Sequence, residues 1–318
     1  MDAPFPAMGR AMKHASLFAE FGCLAVAVIW GSGFIASQLA IDAGLSAPVI
    51  MALRFSIAAA LMLAVCLPRL KRLRRGDLAC GGLAGIFLFG AFFTQIVSQQ
   101  YTTVSHCAFL TAANVVIVPF VAWALGGRRP TLRTLGLVCG VLSGIGLLTL
   151  KPGEGFSFNF GDGLALLGAV LFALHISYLG ACLEGRDPLL INLVQVGAAA
   201  LISLAVLFLW QGSGPPAVDW RAGLLPAVYL GAFSTCLCYL LQTVAQKHTS
   251  ATRAGLLLST EGLFGSVFSV ALGYEPLTVN LLAGGALIFV CVLLLELLQE
   301  TPPGPSPRRR PCRFFHFL

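Results

Sequence analysis

The sequence predicts an all-α integral membrane protein: ten transmembrane helices in two inverted five-helix repeats. Three observations carry this expectation. Of the 318 residues, 58% are apolar and only 10% charged, with mean hydropathy +0.88. A soluble domain carries roughly 25% charge, so this chain has too little to keep a surface wet. Apolar runs of roughly 20 residues, long enough to cross the hydrocarbon core, recur along the chain. Finally, the stretch from Gln95 to Gly126 returns without a gap as Gln242 to Gly273. Eight of the 32 aligned positions are identical: Gln95/Gln242, Val97/Val244, Gln99/Gln246, Thr102/Thr249, Leu110/Leu257, Ala124/Ala271, Leu125/Leu272 and Gly126/Gly273. The glutamines and threonines weigh most, because apolar segments agree by chance while polar residues in them are costly. A unit repeated once over half a chain is a transporter pattern rather than a solenoid pattern.

Taken in order, residues 1–19 read as a polar, mobile cytoplasmic lead-in. Arg10 and Lys13 before an apolar run resemble a secretory signal, but the run is long and nine more follow, so it is a retained first span. Spans are expected near 22–41, 48–67, 78–98, 106–125, 134–150, 162–182, 189–210, 223–244, 253–273 and 277–297. Gly, Pro and charged clusters separate them: Asp42 to Gly44, Pro68 to Asp77, Gly126 to Pro130, Lys151 to Gly155, Glu184 to Pro188 and Gln211 to Pro216. Within lipid every backbone N–H needs an internal partner, which makes these runs helices. The first repeat is placed at 20–150 and the second at 160–298. The tail at 301–318, rich in Pro and Arg, is expected to be disordered.

Orientation follows from the basic residues. With the N-terminus inside, the cytoplasmic segments hold 17 of the 20 Lys and Arg, leaving Arg54, Lys151 and Arg221. The positive-inside rule then places both termini in the cytoplasm, and the expected location is the cell (inner) membrane. Five helices per unit is odd, so the second unit enters inverted. The net charge of +7 lies in short loops and does not indicate nucleic acid. The ten cysteines sit mostly inside apolar runs. Cys236 and Cys238 lack metal or redox spacing, so the set reads as small apolar side chains.

Trp30-Gly31-Ser32-Gly33-Phe34, Arg54-Phe55, the Gly-rich runs Gly136 to Gly146 and Gly284-Gly285, Gly161-Asp162, Asp187-Pro188 followed by Gln195, and Gly273-Tyr274-Glu275-Pro276-Leu277 together resemble the EamA-type transporters of the drug/metabolite transporter superfamily. The resemblance covers about residues 20–298. It implies that helices 1–4 and 6–9 line a central cavity and that helices 5 and 10 brace it. The chain departs from the family pattern at Gly127-Arg128-Arg129, at Glu261-Gly262 in place of Glu-Pro, and at His175.

Candidate site residues each admit two readings. Arg54, near mid-bilayer in the second span, costs roughly 2.5–3.5 kcal/mol on insertion scales. It either attracts a substrate carboxylate or phosphate or serves as a structural brace. Glu261, whose counterpart in the first repeat is Asn114, either takes up a proton or neutralises a substrate amine, or else pairs permanently with Arg54. His175 is a proton relay, a substrate contact or a packing residue. Trp30 and Tyr178 either stack on substrate or pack. Gln95, Gln195, Gln242 and Tyr239 either bond substrate or bridge helices. Gly140, Gly144 and Gly284 permit close helix approach, within one chain or across a homodimer.

No Walker loop, nucleophile elbow or His-Glu-x-x-His motif is present, so no enzyme, cofactor or metal is expected. The resulting expectation is a secondary transporter that exports a small organic metabolite, such as an amino acid, with a proton as the coupling ion. Another cargo (nucleotide-sugar, vitamin, lipid-linked phosphate or drug) and a non-transporting scaffold are the alternatives.

Overall fold

The computed structural model describes the backbone of residues 5–124, 129–151, 155–156, 158–210, 218–248, 257–258 and 260–297. The basic tail, Arg128 and Arg253 lie outside the described residues. The described elements are almost entirely helical. Helix α1 is Phe5–Asp42, α2 Ala47–Cys66, α3 Arg75–Gln99, α4 Val104–Ala112, α5 Asn114–Ala124 and α6 Leu132–Thr149. In the second half follow α7 Phe160–Cys182, α8 Pro188–Leu209, α9 Trp220–Tyr229, a π-helical segment Leu230–Leu237, α10 Cys238–His248, α11 Glu261–Ala271 and α12 Val279–Leu297. Two short strands, β1 (Leu150–Lys151) and β2 (Gly155–Phe156), pair after α6.

Among the described residues, seven stretches are long and apolar enough to span a membrane: Phe21–Asp42, Ala47–Arg72, Arg75–Gln99, Val104–Val121, Phe160–Cys182, Pro188–Leu209 and Trp220–Ala245. Leu132–Leu148, Glu261–Ala271 and Val279–Leu294 are shorter apolar helices. Polarity is inverted relative to a soluble fold. Phe208 is 88% exposed and Leu201 71%, while Arg54, His175, Gln195, Gln242 and Glu261 are buried.

Local chemistry accounts for several helix ends. Pro48 and Pro188 stand in the first turns of α2 and α8, where a missing N–H costs nothing and the fixed φ favours helix. Asn159 and Asp162 form a reciprocal capping box at the start of α7. Gly44 and Gly273 adopt φ of 85° and 78° just past helix ends. There the N–H of Leu45 reaches the Ala40 carbonyl at 3.1 Å, and that of Tyr274 reaches Ser269 at 2.9 Å. This is the left-handed closure that glycine makes without a steric penalty. Helix α1 begins at Phe5, inside the segment expected as the lead-in. Ala, Met and Lys in that segment favour helix.

The halves interlock rather than sit side by side. Helix α3 packs on α7 and α8, α2 on α8 and the π-helical segment, α1 on α9, α10 and α11, and α6 on α12. Glycines set the closest crossings. A Cβ on Gly31 would lie 2.5 Å from the Phe264 Cβ and 2.8 Å from the Gly265 nitrogen. One on Gly284 would lie 2.7 Å from the Gly144 carbonyl oxygen. Gly144 and Gly284 thus allow a close α6–α12 crossing within one chain. Because backbone cannot yield as a side chain can, Gly31→Val should cost about 1–3 kcal/mol by overpacking. A melting temperature equal to that of the wild type in a detergent unfolding scan would contradict this.

One expectation is corrected. Cys80 on α3 and Cys182 on α7 form a disulfide, with Cα atoms 6.1 Å apart, within the range a disulfide spans. The two inward faces meet at that end of the bundle, which their separation in sequence gives no means of foreseeing. Beside them Arg186 pairs with Asp77 at 3.3 Å.

Candidate transport site

Arg54 enters the bundle from the first half of α2 and is 2% exposed. Its Nε donates to Thr235 Oγ1 at 2.6 Å and its Nη2 to Ser234 Oγ at 3.1 Å. Its Cζ lies 3.6 Å from the centre of the Phe92 ring, close enough for a cation–π attraction. Among the described residues no carboxylate pairs with it within 4.0 Å. The hydroxyl contacts depend on the π-helical segment after Pro226, a form found mostly at functional positions. That segment turns Ser234 so that its side chain meets Arg54 while its carbonyl accepts Trp30 Nε1 at 2.7 Å.

An aromatic cluster continues from the Phe92 ring that faces the guanidinium. Tyr239 lies 5.2 Å from Trp30, 5.8 Å from Phe92 and 5.7 Å from the His175 ring, centre to centre. Phe172 meets Phe92 at 5.0 Å. His175 Nε2 is 3.0 Å from Gln195 Oε1. Gln195 Nε2 donates to Asn192 Oδ1 at 2.8 Å and to Thr243 Oγ1 at 3.4 Å, and Asn192 in turn reaches Met62 Sδ at 3.2 Å.

Glu261 is the first residue of α11 and 5% exposed. Among the described residues its carboxylate accepts no hydrogen bond and joins no ion pair. It lies within electrostatic reach of Arg54, Tyr239 and Cys238. A permanent Arg54–Glu261 ion pair, one of the two sequence readings, is not what the structure holds.

Arg54, Trp30, His175, Gln195, Tyr239 and Glu261 thus come from six different helices to one buried neighbourhood. Gln95 lies to the first-repeat side, its Nε2 3.4 Å from Thr111 Oγ1. Asn114, buried at the junction of α4 and α5, has an Oδ1 with no partner among the described residues. Gln242 is buried on α10. Tyr178 is placed elsewhere, edge-on to Phe87 at 6.1 Å and near Cys182. Sequence reasoning missed Phe92, Ser234, Thr235, Asn192 and Thr243. The adjacent hydroxyls Ser234-Thr235 in an apolar run were the available signal.

The chain matches the EamA-like transporter family over residues 17–150 and again over 159–297. It belongs to that family. As an EamA-like transporter it is a multi-pass membrane protein, with the bilayer and a small-molecule substrate as its partners. It is 30% identical over 289 residues to an uncharacterised transporter of Archaeoglobus fulgidus, covering 91% of this chain and 89% of that one. It is 24% identical over 276 residues to the uncharacterised transporter YvbV of Bacillus subtilis, covering 85% and 88%. A solved crystal structure with 19% identity superposes at TM-score 0.64 over 90% of this chain and 97% of that one, a likeness of fold.

The ends of this EamA-like bundle are tied by polar contacts between the halves. Thr102 Oγ1 donates to Asp162 at 2.6 Å and His106 Nδ1 lies 3.6 Å from the same carboxylate. Glu275, from the Gly-Tyr-Glu-Pro-Leu motif, accepts from the Ser105 backbone N–H at 2.8 Å and from Ser269 Oγ at 2.7 Å. Two carboxylates of the second half thereby hold the N-terminus of α4, where the helix dipole favours negative charge. Glu275→Ala should lower stability by about 1 kcal/mol, the typical worth of a helix cap. Thermal unfolding indistinguishable from wild type would show that the contact contributes nothing.

Proposed function

We propose that the protein is a secondary transporter that exports a small zwitterionic metabolite, such as an amino acid, by alternating access. The observation that carries the reading is one buried neighbourhood holding a cation and a carboxylate that are not paired with each other. A charge inside the membrane is costly and usually marks a substrate or ion pathway. Here Arg54 is met by two neutral hydroxyls and a ring face. A substrate carboxylate offers stronger, charge-assisted bonds than these, so it competes well for the guanidinium. Glu261 then faces the substrate amine, and in the empty cycle it takes up the coupling proton.

In this reading the chain forms ten membrane helices in two inverted units, residues 20–150 and 160–298, in the cell membrane with both termini in the cytoplasm. The four-helix sets rock about the buried site while α6 and α12 brace them. Repeat-to-repeat packing of α1, α2 and α3 on the second half supports rocking within one chain, monomer or dimer. The test is counterflow of radiolabelled amino acids in proteoliposomes. Label should accumulate only in vesicles preloaded with the same amino acid. Vesicles of verified orientation and protein content that accumulate no amino acid, loaded or not, would refute the assigned cargo.

A further inference from the structure

Beside Arg54 and Glu261, the second half carries polar atoms left without a partner among the described residues. Among the described residues, His175 Nδ1, the Tyr239 hydroxyl and both amide atoms of Gln242 are buried without a hydrogen-bond partner. All three side chains are 0% exposed, so the bundle is closed on them here and an occupant reaches them only when the helices part. Tyr239 and Gln242 stand three positions apart on α10 and so share a face. His175 meets the Tyr239 ring edge-on at 5.7 Å. Gln195 links the group, bonding His175 on one side and Thr243, next to Gln242, on the other.

The repeat shows that this set is particular to the second half. Gln95 is satisfied by Thr111 at 3.4 Å. In the ungapped alignment the position matching Thr111 holds Leu258, which neither donates nor accepts, so Gln242 is left bare. The same register sets Phe92 against Tyr239, and the hydroxyl gained there is bare as well. A buried polar group without a partner bears its full desolvation cost. Three such side chains together call for an occupant that satisfies them.

The donor and acceptor pattern defines the occupant's chemistry. Gln195 Nε2 is engaged by Asn192 Oδ1, so its Oε1 accepts from His175 Nε2–H. This assignment leaves His175 Nδ1 as a bare acceptor. Gln242 offers a donor and an acceptor, and Tyr239 either. No member of the set carries a full charge that would balance an ion. A carboxamide, with one acceptor oxygen and a donating NH2, matches the set reciprocally.

We propose that His175, Tyr239 and Gln242 form a hydrogen-bonding subsite for an uncharged, carboxamide-type group of the cargo. The proposal rests on the reading that Arg54 and Glu261 hold the cargo's ionised end. It extends the cargo from zwitterions in general to those with an amide-bearing side chain.

Calorimetric titration of the purified full chain in detergent tests it, with L-glutamine, L-norleucine, propionamide and butanone as probes. Glutamine should bind about tenfold or more tighter than norleucine, because a site built to hydrogen-bond rejects an analogue lacking the polar group. Gln242→Leu should remove that preference without weakening norleucine. Tyr239→Phe, which changes shape little, should reduce it, and it covers the case in which Gln242→Leu fails to fold. Equal binding of glutamine and norleucine by the wild type, or a preference unchanged in the folded variants, would overturn the subsite and leave water as its occupant. The charge-pair reading would survive that outcome. Propionamide binding over butanone, with neither amino acid bound, would keep the subsite and overturn the charge pair. Binding of no probe would overturn both.

Discussion

Arg54→Ala is expected to remove binding of carboxylate-bearing cargo while leaving the bundle folded. Truncating one member of a buried, hydrogen-bonded charge pair costs about 2–5 kcal/mol, and each 1.4 kcal/mol is about tenfold in affinity. Binding should therefore weaken by at least about 30-fold. The fold should survive because the groups Arg54 releases are not stranded. Ser234 and Thr235 are helical hydroxyls, which bond back to carbonyls of their own turn when no other partner is present. Phe92 keeps its edge contacts with Phe55, Phe172 and Tyr239. Two readouts separate recognition from bracing. Titration with an amino acid and with its decarboxylated amine should show that only the amino acid depends on Arg54, and the melting temperature should hold. A collapsed melting temperature, or equal losses for both ligands, would make Arg54 a brace. Arg54→Lys should recover part of the affinity, since an ammonium keeps the charge but not the planar fork.

Glu261→Gln should produce the complementary selectivity. Glutamine keeps the shape and can still donate or accept, but it no longer neutralises an ammonium. A hydrogen bond to a charged group is worth about 1.5–3 kcal/mol, so amino-acid affinity should fall about 10- to 100-fold. The matching deaminated acid, which offers Glu261 nothing to neutralise, should bind about as well as before. Proton-driven accumulation in proteoliposomes should fall with it, because the variant has no carboxylate to cycle. Equal weakening of amino acid and deaminated acid would show that Glu261 does not meet an amine. The position of Glu261 at the start of α11 is compatible with both duties, since a helix N-terminus stabilises a carboxylate left without a cation.

Much of this arrangement was legible in residue order. The apolar runs announced membrane helices, and the seven long stretches in the structure fall close to expected spans. Arg54, Glu261 and His175 stood out because a polar residue in an apolar run needs a reason, and all three are buried inside the bundle. Three things were not legible. The π-helical segment Leu230–Leu237 is a choice of hydrogen-bond register, which composition does not encode. Tyr178 and Tyr239 look alike as aromatics in spans, yet one packs beside Cys182 and the other beside Arg54. The Cys80–Cys182 link and the bareness of Gln242 depend on which faces meet across the two halves.

The residue order by itself determined that this chain lives in a bilayer, that it is a duplicated unit, and which few polar side chains must be sheltered from lipid. Those are consequences of transfer free energy and periodicity, which act on each segment locally. Only the tertiary structure decided that Arg54 meets hydroxyls and a ring instead of Glu261, and that Gln95 is satisfied where Gln242 is not. Such pairings are fixed by the crossing of helices distant in sequence, and a sub-ångström choice of hydrogen-bond partner leaves no periodic trace.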